Sequence, residues 1–178
     1  MTLFGHLLRL AAPSALLLLL AALPAALPVR AGEAEIAFLQ GYVGNWRGSG
    51  TVTGGAEPEA FTCRMQLTQG NQGKVNYAGR CSLVGLNLSV AGTIAYFDAK
   101  ARYEAAMTSN AGFSGLAIGR AGGGGVVFDL RERNVDEEGR DMTITSQVSL
   151  RGETVTVAFD VVFNETGERL RATVPFQR

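Results

Sequence analysis

From Trp46 to Phe176 apolar and polar residues alternate with a period of two, and turn residues break the pattern about every ten positions. The clearest segments are Val155, Val157, Phe159, Val161 and Phe163, followed by Leu170, Ala172, Val174 and Phe176. Earlier segments follow the same rule. Leu86, Leu88, Val90, Ile94 and Tyr96 share one face, as do Tyr103, Ala105 and Met107, then Val126, Phe128 and Leu130, then Met142, Ile144, Val148 and Leu150. Phe113 to Gly119 gives a weaker strand whose glycines blur the register. The spacing predicts about ten antiparallel strands. Such a run of one-sided strands exposes a costly edge unless the sheet closes on itself. Short connections favour neighbour-to-neighbour pairing, so the expected fold is all-β, an antiparallel meander barrel, with a two-sheet sandwich as the runner-up. A membrane barrel would turn its apolar face to lipid. Here the polar face is dense in Arg, Thr, Gln and Asp, and the apolar face is bulky enough to fill a small barrel.

Cys63 and Cys81 sit at equal distances from Asn71-Gln72-Gly73. A type I turn with Gly73 in the left-handed bulge position sets Gly70 opposite Lys74 and Cys63 opposite Cys81, which predicts a cross-strand disulfide. The same register turns Phe61, Cys63, Met65, Leu67, Val75, Tyr77, Gly79, Cys81 and Leu83 inward. It turns Thr62, Arg64, Gln66, Thr68, Asn76, Arg80 and Ser82 outward.

A disulfide belongs in an oxidising compartment. Residues 1–31 read as a cleaved signal peptide: Arg9 precedes a Leu/Ala-rich run from Leu10 to Leu23, and Val29-Arg30-Ala31 suits signal peptidase. Pro13, Pro24 and Pro28 interrupt the run, so the mature form is expected to lack a transmembrane span and to be periplasmic or secreted. The single domain then covers 32–178 and opens with a short helix, marked by Ile36, Leu39 and Val43. Without the leader's Arg9 and Arg30, 14 of the 16 basic residues remain against 16 acidic ones, a formal net charge of −2. Nothing in that balance favours nucleic acid.

Gly44-Asn45-Trp46-Arg47-Gly48-Ser49-Gly50, just after the helix, resembles the calycin superfamily. Its Gly-x-Trp core is similar to the lipocalin signature, and the longer Gly-x-Trp-x-Gly-x-Gly form to nitrobindin-like ten-stranded barrels. The resemblance implies that Trp46 closes the barrel base against the helix, while Gly48 and Gly50 let neighbouring strands approach. It also implies a basic side chain from the last strand on the tryptophan: Arg169, Arg171 or Arg178, of which Arg171 is the expected one. Nitrobindin-like proteins hold haem through a histidine near the C-terminus. The only histidine here is His6, in the leader, so no haem or other cofactor is expected. A haem protein would need Tyr77, Tyr96, Tyr103 or Met107 as the ligand. Only Gly54 to Pro58 is available for the helical lid of fatty-acid-binding barrels, and Trp46 alone cannot build an avidin-like biotin site.

A mature chain without histidine has no Ser-His-Asp or Cys-His nucleophile and no histidine-ligated metal. Gly119 to Gly125 lacks the Lys-Ser/Thr and the helix of a phosphate cradle, and reads as a hairpin loop at the barrel mouth. Asp136-Glu137-Glu138 reads as a solvated turn. Glu132 falls on the apolar parity of its strand but near the strand's end, where register drift or exposure at the rim is expected over burial. Tyr77, Tyr96 and Tyr103 bring hydroxyls to an apolar face; these either reach the rim or one another, or orient a ligand's polar end.

The expected function is non-catalytic and metal-free: a small hydrophobic or amphipathic ligand held in the lumen by Met65, Tyr77, Ile94, Tyr96, Tyr103, Met107, Phe128, Phe159 and Phe163. The alternative is a packed barrel acting as a structural or inhibitor-like envelope protein. A third reading, a cofactor enzyme, requires a polar cluster of Glu132 with the tyrosines.

Overall fold

The structure, a computed structural model, describes residues 32–83, 86–135 and 139–178. The expected signal peptide and the acidic residues Asp136 to Glu138 lie outside the described residues. Helix α1 (Glu33–Gln40) comes first. Ten strands follow: β1 (Gly44–Val52), β2 (Glu59–Gln69), β3 (Val75–Leu83), β4 (Leu86–Phe97), β5 (Arg102–Ser109), β6 (Ser114–Gly122), β7 (Gly125–Val135), β8 (Asp141–Arg151), β9 (Thr154–Phe163) and β10 (Arg169–Gln177). Each pairs antiparallel with its sequence neighbours, and β10 returns to β1, so the sheet is a closed meander barrel. The sandwich is excluded.

Alternation decides the faces. Phe61, Cys63 and Leu67 are buried while Thr62, Arg64, Gln66 and Thr68 are exposed, and the same in-and-out pattern runs along β3 and β10. The apolar face is the lumen, opposite to that of a membrane-spanning barrel. No helix among the described residues is long and apolar enough to cross a membrane.

Cys63 and Cys81 are directly opposite and covalently joined, as the spacing predicts. Gly70 donates to the Lys74 carbonyl at 2.8 Å, confirming the register. The turn itself differs from the type I expectation. Both Gln72 (φ 57°, ψ 38°) and Gly73 (φ 75°) are left-handed, the primed sense that matches strand twist. Gly73 is needed twice over: a Cβ there would come within 2.8 Å of Ile36, where α1 lies against the turn. The Gly119 to Gly125 segment also departs from expectation. Strand continues to Gly122 and resumes at Gly125, leaving only Gly123 and Gly124 as a left-handed pair, at the helix end of the barrel rather than the mouth.

The seam between β1 and β10 pairs at Arg47 with Gln177 and Gly48 with Phe176, then again only at the Thr53–Arg171 bridge. Pro175 continues that register and has no N–H to give. A Cβ on Gly48 would lie 2.7 Å from the Pro175 carbonyl, and one on Gly50 2.8 Å from that of Thr173. The two glycines therefore permit the close approach that the motif implies.

Candidate functional site

Trp46 closes the helix end. Its ring is 1% exposed, and its Nε1 donates to the Tyr42 carbonyl at 2.9 Å. Tyr42 stacks on it with centroids 6.1 Å apart and donates its hydroxyl to the Gly152 carbonyl at 3.0 Å, tying the helix exit to the β8–β9 turn. The cation over the indole is Arg178, 4.8 Å from the ring centre, and it also donates to the Gly41 carbonyl. This corrects the expectation of Arg171. That residue sits near the start of β10, points outward and pairs with Asp160, whereas the chain leaves the barrel beside the helix only at Arg178.

The expected lining residues divide by height in the barrel. Ile94, Tyr103 and Phe128 belong to the buried core beneath the helix, with Met65, Tyr77, Tyr96 and Met107 packed against that core. Edge-to-face contacts link Phe38 to Tyr103 at 6.2 Å, Tyr96 to Tyr103 at 5.0 Å and Tyr103 to Phe128 at 6.4 Å. Burial, reinforced by Glu35 of α1, raises the phenol pKa of Tyr96 and Tyr103. Tyr77 is directly opposite Gly92 and donates to the Ala106 carbonyl at 3.1 Å. A Cβ on Gly92 would fall 2.5 Å from that hydroxyl. Burial pushes the Tyr77 phenol up to about 12. Its hydroxyl is thus engaged by the wall, which favours the structural reading of this tyrosine.

The open space lies at the other end. A cavity of about 640 Å³ is lined mainly by apolar groups, among them Val52, Phe61, Cys81, Leu83, Phe113, Ile144, Phe159, Val161 and Leu170, with Asn110 as a polar contributor. Of the nine expected residues only Phe159 lines it. Phe163 lies higher on β9, with the Arg140 guanidinium 4.7 Å from its ring centre. Asn110 fixes the rim: its side chain accepts from the Ser89 N–H at 2.7 Å and donates to the Asn87 carbonyl at 2.8 Å.

Alternation gives the inward parity of Phe61, Leu83, Ile144, Val161 and Leu170 but not their place in the cavity, and Phe113, expected to open the sixth strand, precedes β6 and lines the cavity from the turn before it. The available signal was distance along each strand from the Trp46 motif, because in a meander every other turn lies at the same end. Ser146, opposite Phe159 on the inward face of β8, is 2% exposed, and its Oγ has no hydrogen-bond partner among the described residues. Glu132 does keep its inward parity, half-buried, with Oε1 close over Gly115. It pairs with Ile144 toward the mouth, away from Tyr96 and Tyr103, so these residues do not form one cluster. Among the described residues, no group of His, Cys, Asp and Glu is arranged to hold a metal ion.

No family model matches the sequence, and no curated protein matches it. Among solved structures the chain is similar to Rv2717c from M. tuberculosis, with a TM-score of 0.61 and 11% identity over 80% of this chain and 96% of that one. At that identity the likeness is one of fold: a barrel wall of similar shape built from a different sequence.

Proposed function

We propose that the protein is a periplasmic or secreted binding protein that holds a small hydrophobic or amphipathic molecule in the open half of a calycin-like barrel, without transforming it. The observation that carries this reading is the cavity of about 640 Å³ opposite the helix, within the size range of small-molecule sites and lined mainly by apolar side chains. The Cys63–Cys81 bridge supports an oxidising compartment. The Gly44 to Gly50 motif supports the calycin relationship. The rival, a packed barrel acting through its outer surface, draws support from the filled helix end, where the core leaves the tyrosines packed against one another.

Native mass spectrometry of protein purified from its own host provides the test, paired with titration of a fluorescent apolar probe. A copurified small molecule and saturable probe binding are expected. Val161→Arg, which brings a charge to the cavity wall, should weaken the probe by roughly tenfold or more while circular dichroism stays unchanged. Protein that arrives empty and binds no probe would favour the packed barrel.

A further inference from the structure

Arg47, Arg64 and Arg80 stand side by side on the outer wall. Arg47 is directly opposite Arg64, Arg64 is directly opposite Arg80, and all three are exposed. With strands about 4.8 Å apart, their Cα atoms form a row roughly 10 Å long. Like charges in directly opposite cross-strand positions oppose pairing. At three other places on the wall a carboxylate occupies the neighbouring position: Arg120 meets Asp129, Arg133 meets Asp141, and Arg169 and Arg171 share Asp160. The ladder has no such partner among the described residues. Its only hydrogen bond there is Arg80 Nε to Ser89 Oγ at 3.4 Å.

The sequence explains the vacancy. No Asp or Glu occurs between Glu59 and Asp98, and β1 has none. The four strands β1 to β4 thus carry one acid, Glu59, at the first residue of β2 and on the inward parity. The outer faces of β1 to β5 form a concavity of about 680 Å³, whose lining includes the three arginines with Asn45, Gln66, Ser89 and Thr108. Three cations and a set of neutral hydrogen-bonding side chains share one shallow basin.

We propose that this ladder binds a small ligand carrying two or more phosphate groups, on the outer wall and separate from the lumen. Guanidinium groups present paired N–H donors that match phosphate oxygens, and two phosphates would neutralise the repulsion within the row. The length of the row limits the ligand: it ends at neutral Ser89 on one side and Gln177 on the other, so three cations are offered over roughly 10 Å.

Calorimetric titration of the disulfide-intact protein with inorganic tripolyphosphate at low ionic strength tests the site. Saturable binding, weakened by salt, is expected, with orthophosphate at least tenfold weaker. Arg64→Gln with Arg80→Gln should lower tripolyphosphate affinity by roughly tenfold or more and leave lumenal probe binding unchanged. Arg64→Gln alone should raise the thermal midpoint of the free protein at low salt; a lowered midpoint would show that Arg64 has a structural partner and overturn the proposal. So would tripolyphosphate binding that the double variant does not alter, or none at all. Binding to phosphatidylglycerol vesicles without binding to tripolyphosphate would replace the small ligand with a membrane surface. The tripolyphosphate results stand whether or not the lumen takes a probe.

Discussion

Ser146 illustrates how a residue can satisfy the barrel's geometry and still oppose its stability. Its small side chain fits the inward face opposite Phe159, but its Oγ is removed from water without a hydrogen-bond partner among the described residues. A hydroxyl in that state costs more than the methyl that would replace it. Ser146→Ala is expected to stabilise the protein by about 1 kcal/mol, measured as a higher urea midpoint with unchanged slope. A lower midpoint would mean that the hydroxyl has found a partner. At this scale parity was legible further than expected: Glu132 keeps the inward parity of β7 and is half-buried, where drift or rim exposure near the strand end was the expectation. The cation on Trp46 was not. Alternation places Arg171 correctly outside the barrel, but reaching the indole depends on which end of β10 is beside the helix, and that favours Arg178.

Charge pairs support the hydrogen-bond ladder between strands at Asp129, Asp141 and Asp160, and Glu104 is paired within β5 and the turn before it. The hydrogen bonds from Arg169, followed by the charges of Arg169 and Arg171, hold the Asp160 carboxyl below its ordinary value of 3.8. Arg133 does the same to Asp141, and Arg102, with Lys100, lowers Glu104 below 4.5. A carboxyl whose folded pKa is depressed binds fewer protons folded than unfolded. Its contribution is complete above the ordinary carboxylate range and is lost as pH falls through the folded value. Stability should therefore decline with acid below about pH 4.5, a trend read from urea midpoints across pH. Asp160→Asn should make that decline shallower, and an unaltered acid limb would dismiss Asp160 as a contributor. These pairs are exposed, apart from the largely covered Glu104, so their share of total stability is modest. The elements themselves were legible from alternation and turns. β6 was the poorest, because Gly115 and Gly119 have no side chains to mark a face; in the barrel they make room for Leu130 and Phe128.

For the whole molecule the disulfide joins strands already adjacent in the meander, with Cys63 in the core and Cys81 on the cavity wall. It closes a sequence separation of 18, which on the chain-entropy estimate is worth roughly 3 kcal/mol. The double variant Cys63→Ala with Cys81→Ala should lose about that much while keeping its far-ultraviolet strand signal, because the other nine strand pairings and the core remain. Loss of the strand signal at room temperature would show that the bridge is required for folding itself. Net charge was the least informative whole-chain quantity. A near balance of acids and bases conceals a wall from β1 to β4 on which arginines face one another. The sequence by itself determined the number of strands, their neighbours, the cysteine register and, outside the glycine-marked β6, the face each strand residue turns, because those follow from a period of two and from local turns. Only the tertiary structure decided height: which inward residues pack beneath the helix and which surround the open end. That depends on the stagger of closed strands and on one helix docking at one end, and both are set by contacts between residues far apart in the chain.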